Sequence, residues 1–275
     1  MVLRQAGAAV LGYDAGVTDE RPIGLFDSGI GGVAVLSEIR RLLPDESLVY
    51  FADAANFPYG PKAEDEIKRL AAAATDVLLE RGVKLIVVAC NTASTMALAS
   101  LRSRYDVPFV GMVPAVKPAS SLSRNGLVGI LATEGTVQTS VLADLIRDFA
   151  NGAVVNTTAA PGLAELVEAG AQDAAIAPVL VGFLDPLIEA GSDVVVLGCT
   201  HYFFLRHLIE KSLPAGTQVV DAAEPVARRV RQVLEESGLS ASGIGAAGVE
   251  YITSGDRPQL LSCLRRWREA GYAIP

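Results

Sequence analysis

LIVVACNTAS (residues 85–94) and VVVLGCTHYF (residues 194–203) decide how this sequence folds. Each is an aliphatic, β-branched run that ends on a cysteine and passes into polar, cap-forming residues, then into a stretch with helical spacing. An unbroken apolar run leading into a helix is the mark of a parallel strand covered on both faces. Working outward from these two, further runs begin near Ile23 (IGLFD), Leu48 (LVYFAD) and Pro108 (PFVGMV), and near Leu127 (LVGILAT), Ala153 (AVVNTT) and Gln218 (QVVDAA). The starts are spaced by 25, 37 and 23 residues in the first set and by 26, 41 and 24 in the second. IGLFDSGIGG and VGILATEGT occupy matching places as well. The chain therefore reads as an internal repeat: an α/β protein of two similar domains with mainly parallel sheets, related by a pseudo-twofold. Ligands of such sheets bind beyond the carboxyl ends of the strands, which places the site in the interdomain cleft.

The expected boundaries are a flexible N-terminal extension over residues 1–20, a first domain over 21–114 plus 224–275, and a second over 115–223. The polar stretch Ala119–Arg124 marks the crossover. A last strand, EYITSGD (250–256), and the helix LLSCLRRWREAG (260–271) return to the first domain.

Composition narrows the class. With 51% hydrophobic and 20% charged residues, the chain is too apolar to be disordered. Its mean hydropathy of +0.37 raises the question of a membrane span. The most apolar stretch, Ala174–Leu184, contains Pro178 and ends at Asp185, well short of the about 18 residues a spanning helix needs. No membrane association is expected. A net charge of −8 without a Lys/Arg-rich run argues against a nucleic-acid partner. Three scattered cysteines (Cys90, Cys199, Cys263) do not make a disulfide framework. They point to the reducing cytoplasm, and the N-terminal stretch reads as an extension and not as a signal peptide.

Cys90 and Cys199 each fall in a strand-to-helix turn, where unpaired N–H groups and the helix dipole would lower a thiol pKa. The residues after them, Asn91, Thr92 and Thr200, are also good caps, and free cysteines are often small core hydrophobes. Two cysteines at equivalent strand ends, each with polar neighbours, weigh toward chemistry.

DSGIGG (27–32), PYG (58–60), CNTAS (90–94) and GCTH (198–201) together resemble the motifs of the aspartate/glutamate racemase superfamily, and the similarity runs from Ile23 to the YITSGD segment. The resemblance implies cofactor-independent racemisation of an amino acid by a thiolate on one face and a thiol on the other. His201, where aspartate-specific members tend to carry an acidic residue, favours glutamate. It further implies that Asp27 helps Cys90 exchange its proton and that His201, oriented by Glu168, does so for Cys199. Substrate binding falls to Asp27, Ser28, Tyr59, Gly60, Asn91, Thr92, Thr200 and His201, with Thr133 and Thr136 as secondary candidates. No cofactor or metal is expected. D-Glutamate supply for peptidoglycan and a homodimer follow from the resemblance alone. Three departures from the family's pattern bear on substrate detail: Phe203–Phe204 after Tyr202, which would reshape the pocket mouth, Ala222 in DAA (221–223), and AAP (159–161).

Bland readings stand beside these roles. Asp27 and Ser28 could be a helix cap, Tyr59 a turn aromatic, Glu168 a solvated carboxylate and His201 a capping or surface histidine; His207 reads as structural. Other chemistries fit less well. Lys62, Lys68, Lys84, Lys117 and Lys211 lack a phosphate-cup context for pyridoxal chemistry, and GIGG lacks the Gly-Lys-Ser/Thr of a phosphate loop. His201 and His207 are not spaced for zinc. A Cys199–His201 hydrolase is disfavoured because residues two apart around a turn rarely pair as nucleophile and base. An aspartate or hydantoin racemase, or a non-catalytic amino-acid binder, remains as an alternative.

Overall fold

In a computed structural model, residues 18–243 and 247–275 are described. The first half of the chain runs β1 (Ile23–Asp27), α1 (Val33–Leu42), β2 (Leu48–Ala52), α2 (Glu64–Leu79), β3 (Leu85–Val88), α3 (Asn91–Arg104) and β4 (Phe109–Gly111). A short helix, α4 (Val116–Leu122), carries the chain to β5 (Leu127–Ala132), α5 (Glu134–Val137), α6 (Ser140–Phe149), β6 (Val154–Ala159), α7 (Leu163–Glu168), α8 (Asp173–Glu189) and β7 (Val194–Gly198). A 3₁₀ turn (Thr200–Leu205) then leads into α9 (Arg206–Ser212), β8 (Gln218–Val220), α10 (Ala223–Ser237), β9 (Val249–Thr253) and α11 (Arg257–Glu269).

Two parallel sheets result, with strand orders β4-β3-β1-β2-β9 and β6-β5-β7-β8. Reversing the second order and matching strands in chain sequence gives the first, with β9 added at its β2 edge. The repeat read from spacing is thus present in the topology. The inner strands are buried along their whole length: IGLFD, LIVV and VVVLG expose nothing on either face. That is why they read as continuous apolar runs with no alternation. Among the described residues, no helix is long and apolar enough to cross a membrane.

The structure differs from the sequence reading in three places. The polar stretch 119–124 that marks the crossover is helical as far as Leu122, because Val116 and Ala119 bury one side of α4. The segment after Cys199 begins as a 3₁₀ turn and becomes α-helical only at Arg206. Finally, β9 pairs with β2 of the first sheet as expected, but α11 turns part of its surface to the second half, stacking Trp267 on Phe204 at 4.3 Å. Most of the expected N-terminal extension lies outside the described residues. Its last residues are anchored: Asp19 N–H donates to the Ser240 carbonyl, and the Glu20 carboxylate accepts from Ser242.

Candidate active site

Every strand of both sheets delivers its carboxyl end toward a turn, and two of those turns carry cysteines. Cys90 is the N-cap of α3 and Cys199 the N-cap of the 3₁₀ turn, both in extended conformation. They line one narrow cavity of about 60 Å³, together with Ser28, Tyr59, Gly60, Asn91, Thr92, Thr200 and His201. Each of these had been singled out from the sequence. Asp27 and Glu168 stand behind the lining.

Asp27 is fully buried at the end of β1. Its carboxylate accepts the N–H groups of Ser28 at 2.7 Å and Gly32 at 2.6 Å and the Thr200 hydroxyl at 3.0 Å, and the Cys90 thiol lies near enough to act on it. Burial raises its pKa above the usual carboxylate value, against the pull of His201 and these donors. The Cys90 thiol stands well above its ordinary value. Burial is the main cause, the Asp27 charge adds to it, and the Ala93 N–H acts in the other direction. The lowered thiol pKa expected at a helix start is therefore corrected for Cys90, because desolvation and a neighbouring carboxylate outweigh the helix dipole.

The Cys199 side is built differently. His201 Nδ1 lies 3.9 Å from Cys199 Sγ, and Nε2 lies 2.8 Å from Glu168 Oε2. Residues two apart do pair here, contrary to the expectation from their spacing, because the tight 3₁₀ turn folds the imidazole back over the strand end. Burial disfavours a charged imidazole, yet the contacts with Cys199 and Glu168 prevail and hold His201 well above its ordinary value. Glu168 is likewise held below the usual range despite burial, by His201, the Ile30 N–H at 3.1 Å and the nearby Arg266. It is no solvated helix carboxylate. His207, by contrast, is half-exposed, with Nε2 2.9 Å from Asp173 Oδ2.

The glycines of DSGIGG serve close approach. A Cβ on Gly31 would collide with Thr200 and His201, and one on Gly29 with the Glu168 carboxylate. The loop of the first sheet is thereby pressed onto the acid–base residues of the second. Beside the cavity, Thr92 Oγ1 lies 2.9 Å from Thr133 Oγ1, which lies 3.0 Å from Thr136 Oγ1. Tyr59 is buried and donates its hydroxyl to Asp53 at 2.6 Å, while Ser254 of the YITSGD segment donates to the same carboxylate at 2.6 Å. Asn91 is 2% exposed, and neither polar atom of its amide has a partner within the protein. A buried unpaired amide facing a cavity is set to meet a polar ligand.

Sequence reasoning missed Asp53, which fixes the PYG loop, and Glu134 and Glu165, which line the cavity. Asp53 ends LVYFAD much as Asp27 ends IGLFD, a signal that was available; Glu165 sits one helical turn before Glu168. Phe203 and Phe204 do not line the cavity. They pack with Trp267 and Tyr272 in an aromatic cluster, so the expected change at the pocket mouth is corrected: their rings fill the contact with α11. Asp221 pairs with Arg206 and caps Ala223, so DAA acts within its own loop. Of AAP, Ala160 and Pro161 do line the cavity. Among the described residues, no group of three or more His, Cys, Asp or Glu side chains is arranged to hold a metal ion.

Comparison with known proteins supplies an independent line. Residues 23–230 match the family model described as Asp/Glu/Hydantoin racemase. The chain is 48% identical to a glutamate racemase of Roseiflexus sp. (strain RS-1), covering 90% of this chain and 92% of that one. It is 46% identical to one of Deinococcus radiodurans, covering 91% and 87% respectively. Among solved structures, an Escherichia coli glutamate racemase in complex with L-glutamate and the activator UDP-MurNAc-Ala superposes with a TM-score of 0.81 at 41% identity, over 90% of this chain and 95% of that one.

Proposed function

The chain belongs to the Asp/Glu/Hydantoin racemase family and racemises glutamate, and we propose that it does so with two thiols, Cys90 and Cys199, without a cofactor. One thiolate removes the α-proton from one face of the amino acid, and the opposite thiol delivers a proton to the other. The products are the enantiomer and a protein with the two thiol states exchanged. The reverse reaction runs with the roles interchanged.

A single observation carries this reading: the ends of two equivalently ordered sheets bring one thiol each to a common cavity, each in contact with its own titratable partner. The α-proton beside a carboxylate is a very weak acid, so the base must be strong. Burial that raises the Cys90 pKa makes its thiolate more basic once formed, which suits the task better than a lowered pKa would. Asp27, itself shifted upward, takes the thiol proton and returns it. On the other side His201 exchanges a proton with Cys199, while Glu168 holds the ring. The amide of Asn91 and the helix starts at Asn91 and Thr200 receive the substrate's polar groups, as helix N-termini receive carboxylates. Ser28, Tyr59, Gly60 and Thr92 complete the binding surface.

We take residues 21–114 with 224–275 and residues 115–223 as the two halves that hold the substrate between them. The D-glutamate formed would serve peptidoglycan synthesis in the cytoplasm, with the protein a homodimer.

The test is to incubate D-glutamate with the protein in D2O with nothing else added. The expected result is loss of optical activity with gain of deuterium at the α-carbon. Cys90→Ala and Cys199→Ala should each lower the rate by on the order of a hundred- to ten-thousandfold, the usual contribution of a positioned acid or base. Near wild-type racemisation in either variant would overturn the two-thiol reading.

A further inference from the structure

The third cysteine and the helix that carries it play no part in the mechanism above. Their position is nonetheless specific. In α11, Cys263 Sγ lies 3.8 Å from the Glu168 carbonyl, and Arg266 Nη2 donates to the Val167 carbonyl at 3.3 Å and lies 3.9 Å from Cys263 Sγ. These carbonyls close α7; that of Val167 already accepts the Gly170 N–H at 3.0 Å, so Arg266 adds a second, side-chain donor to it. Gly170 follows with φ +73°, and any Cβ there would strike the Arg266 guanidinium. The positive φ favours glycine there, and a side chain would push the Arg266 guanidinium aside. Cationic side chains at helix C-termini also complement the dipole.

The next residue of the same helix grips the other bearer of the relay. Trp267 stacks on Phe204 with an interplanar angle of 21°, and Tyr272 beyond the helix donates its hydroxyl to the Phe204 carbonyl at 3.0 Å. Phe204 lies in the 3₁₀ turn that presents His201. One helix, entering from the first sheet's outermost strand, thus touches both segments that form the Glu168–His201 contact.

We propose that Arg266, tethered beside Cys263, is a positioning residue for the Cys199 side of the reaction, fixing the last turn of α7 so that Glu168 stays on His201. The inference rests on the roles given above to Cys199, His201 and Glu168. Titratable and charged groups around this pair are Glu165 one turn earlier on α7, Tyr50 of β2, Asp27 at the end of β1, Cys199 beside the imidazole, and Cys263 and Arg266 of α11. Of these, Arg266 alone is a fixed cation.

The experiment compares Arg266→Met, Arg266→Lys, Glu168→Gln and the Arg266→Met/Glu168→Gln double variant, measuring kcat, KM, the pH profile of kcat/KM and thermal unfolding. Arg266→Met should lower kcat about two- to thirtyfold, the range set by a favourable charge at a helix end, with KM for glutamate unchanged. The acidic limb of its profile should move to higher pH, because Glu168 then binds its proton more readily. Arg266→Lys should recover most of the rate, and Arg266→Met should cost little more once Glu168 is already Gln. A loss of kcat that tracks thermal stability with an unmoved acidic limb overturns the proposal, as does a full Arg266→Met effect in the Glu168→Gln background. Wild-type activity in Glu168→Gln alone would overturn the relay itself, a result distinct from any failure of Arg266.

Discussion

Thr200 donates its hydroxyl to Asp27 at 3.0 Å, so the residue that follows one thiol holds the acid that serves the other. The two halves of the site are therefore not independent. Replacing Thr200 by Val keeps the shape and removes the donor. Loss of one buried hydrogen bond should lower stability by about 1 kcal/mol. It should also leave Asp27 with a still higher pKa, since that donor favours the carboxylate. Racemisation should fall, and the acidic limb of the rate profile should move to higher pH. An unaltered profile in Thr200→Val would contradict the link.

Asp27 acts on Cys90 in two opposed ways, as proton acceptor and as a charge that disfavours the thiolate. Asp27→Asn should separate them. With the charge gone, Cys90 should be alkylated faster by iodoacetamide at a fixed pH, while racemisation collapses. Mass spectrometry of the modified peptide, in a Cys199→Ser background, gives the rate. Slower alkylation would mean that the carboxylate activates the thiol at rest.

Asn91 offers a trade between stability and binding. Its amide has no partner within the protein, and burying a polar group unpaired is unfavourable. Asn91→Leu should therefore melt at the same temperature as the wild type or higher. It should also raise KM for glutamate about tenfold or more, since a site that hydrogen-bonds its substrate loses most when that partner disappears. A lower melting temperature with unchanged KM would place the amide in the scaffold.

The His201–Glu168 pair sets a pH window. Glu168 titrates below its ordinary value of 4.5, so its stabilisation is present above that pH and is lost as the pH falls through the lowered native value. His201 titrates well above 6.5, so its stabilisation is full below that pH and is lost as the pH rises through the raised native value. Both are complete between about pH 4.5 and 6.5. The stability gap between wild type and Glu168→Gln, followed by denaturant melts across pH, should be widest there and shrink on the alkaline side.

What the sequence made legible follows from periodicity and strand ends. Both sheets, their internal repeat and the turns bearing Cys90 and Cys199 all rest on local patterns: buried runs and the residues that cap a helix. Glu168 was the least readable member of the site, because nothing in AELVEAG marks a carboxylate that crosses to the Ile30 N–H, 138 residues away. The direction of the Cys90 shift was misjudged for a related reason. A helix start is visible in sequence, whereas the desolvation that overrides it belongs to the packed cleft. Phe203 and Phe204 pointed toward a pocket only because they adjoin GCTH; their partner Trp267 lies more than sixty residues on and is met only in three dimensions.

Beside the cavity the halves meet through three threonine hydroxyls, those of Thr92, Thr133 and Thr136. The Thr133 hydroxyl donates to Thr136, while Thr92 can give or take a proton in its contacts with both. No formal charge is separated when these contacts break. Dissolved ions weaken contacts between charges and leave neutral ones almost untouched. The contact that these hydroxyls make between the halves should therefore be insensitive to ionic strength.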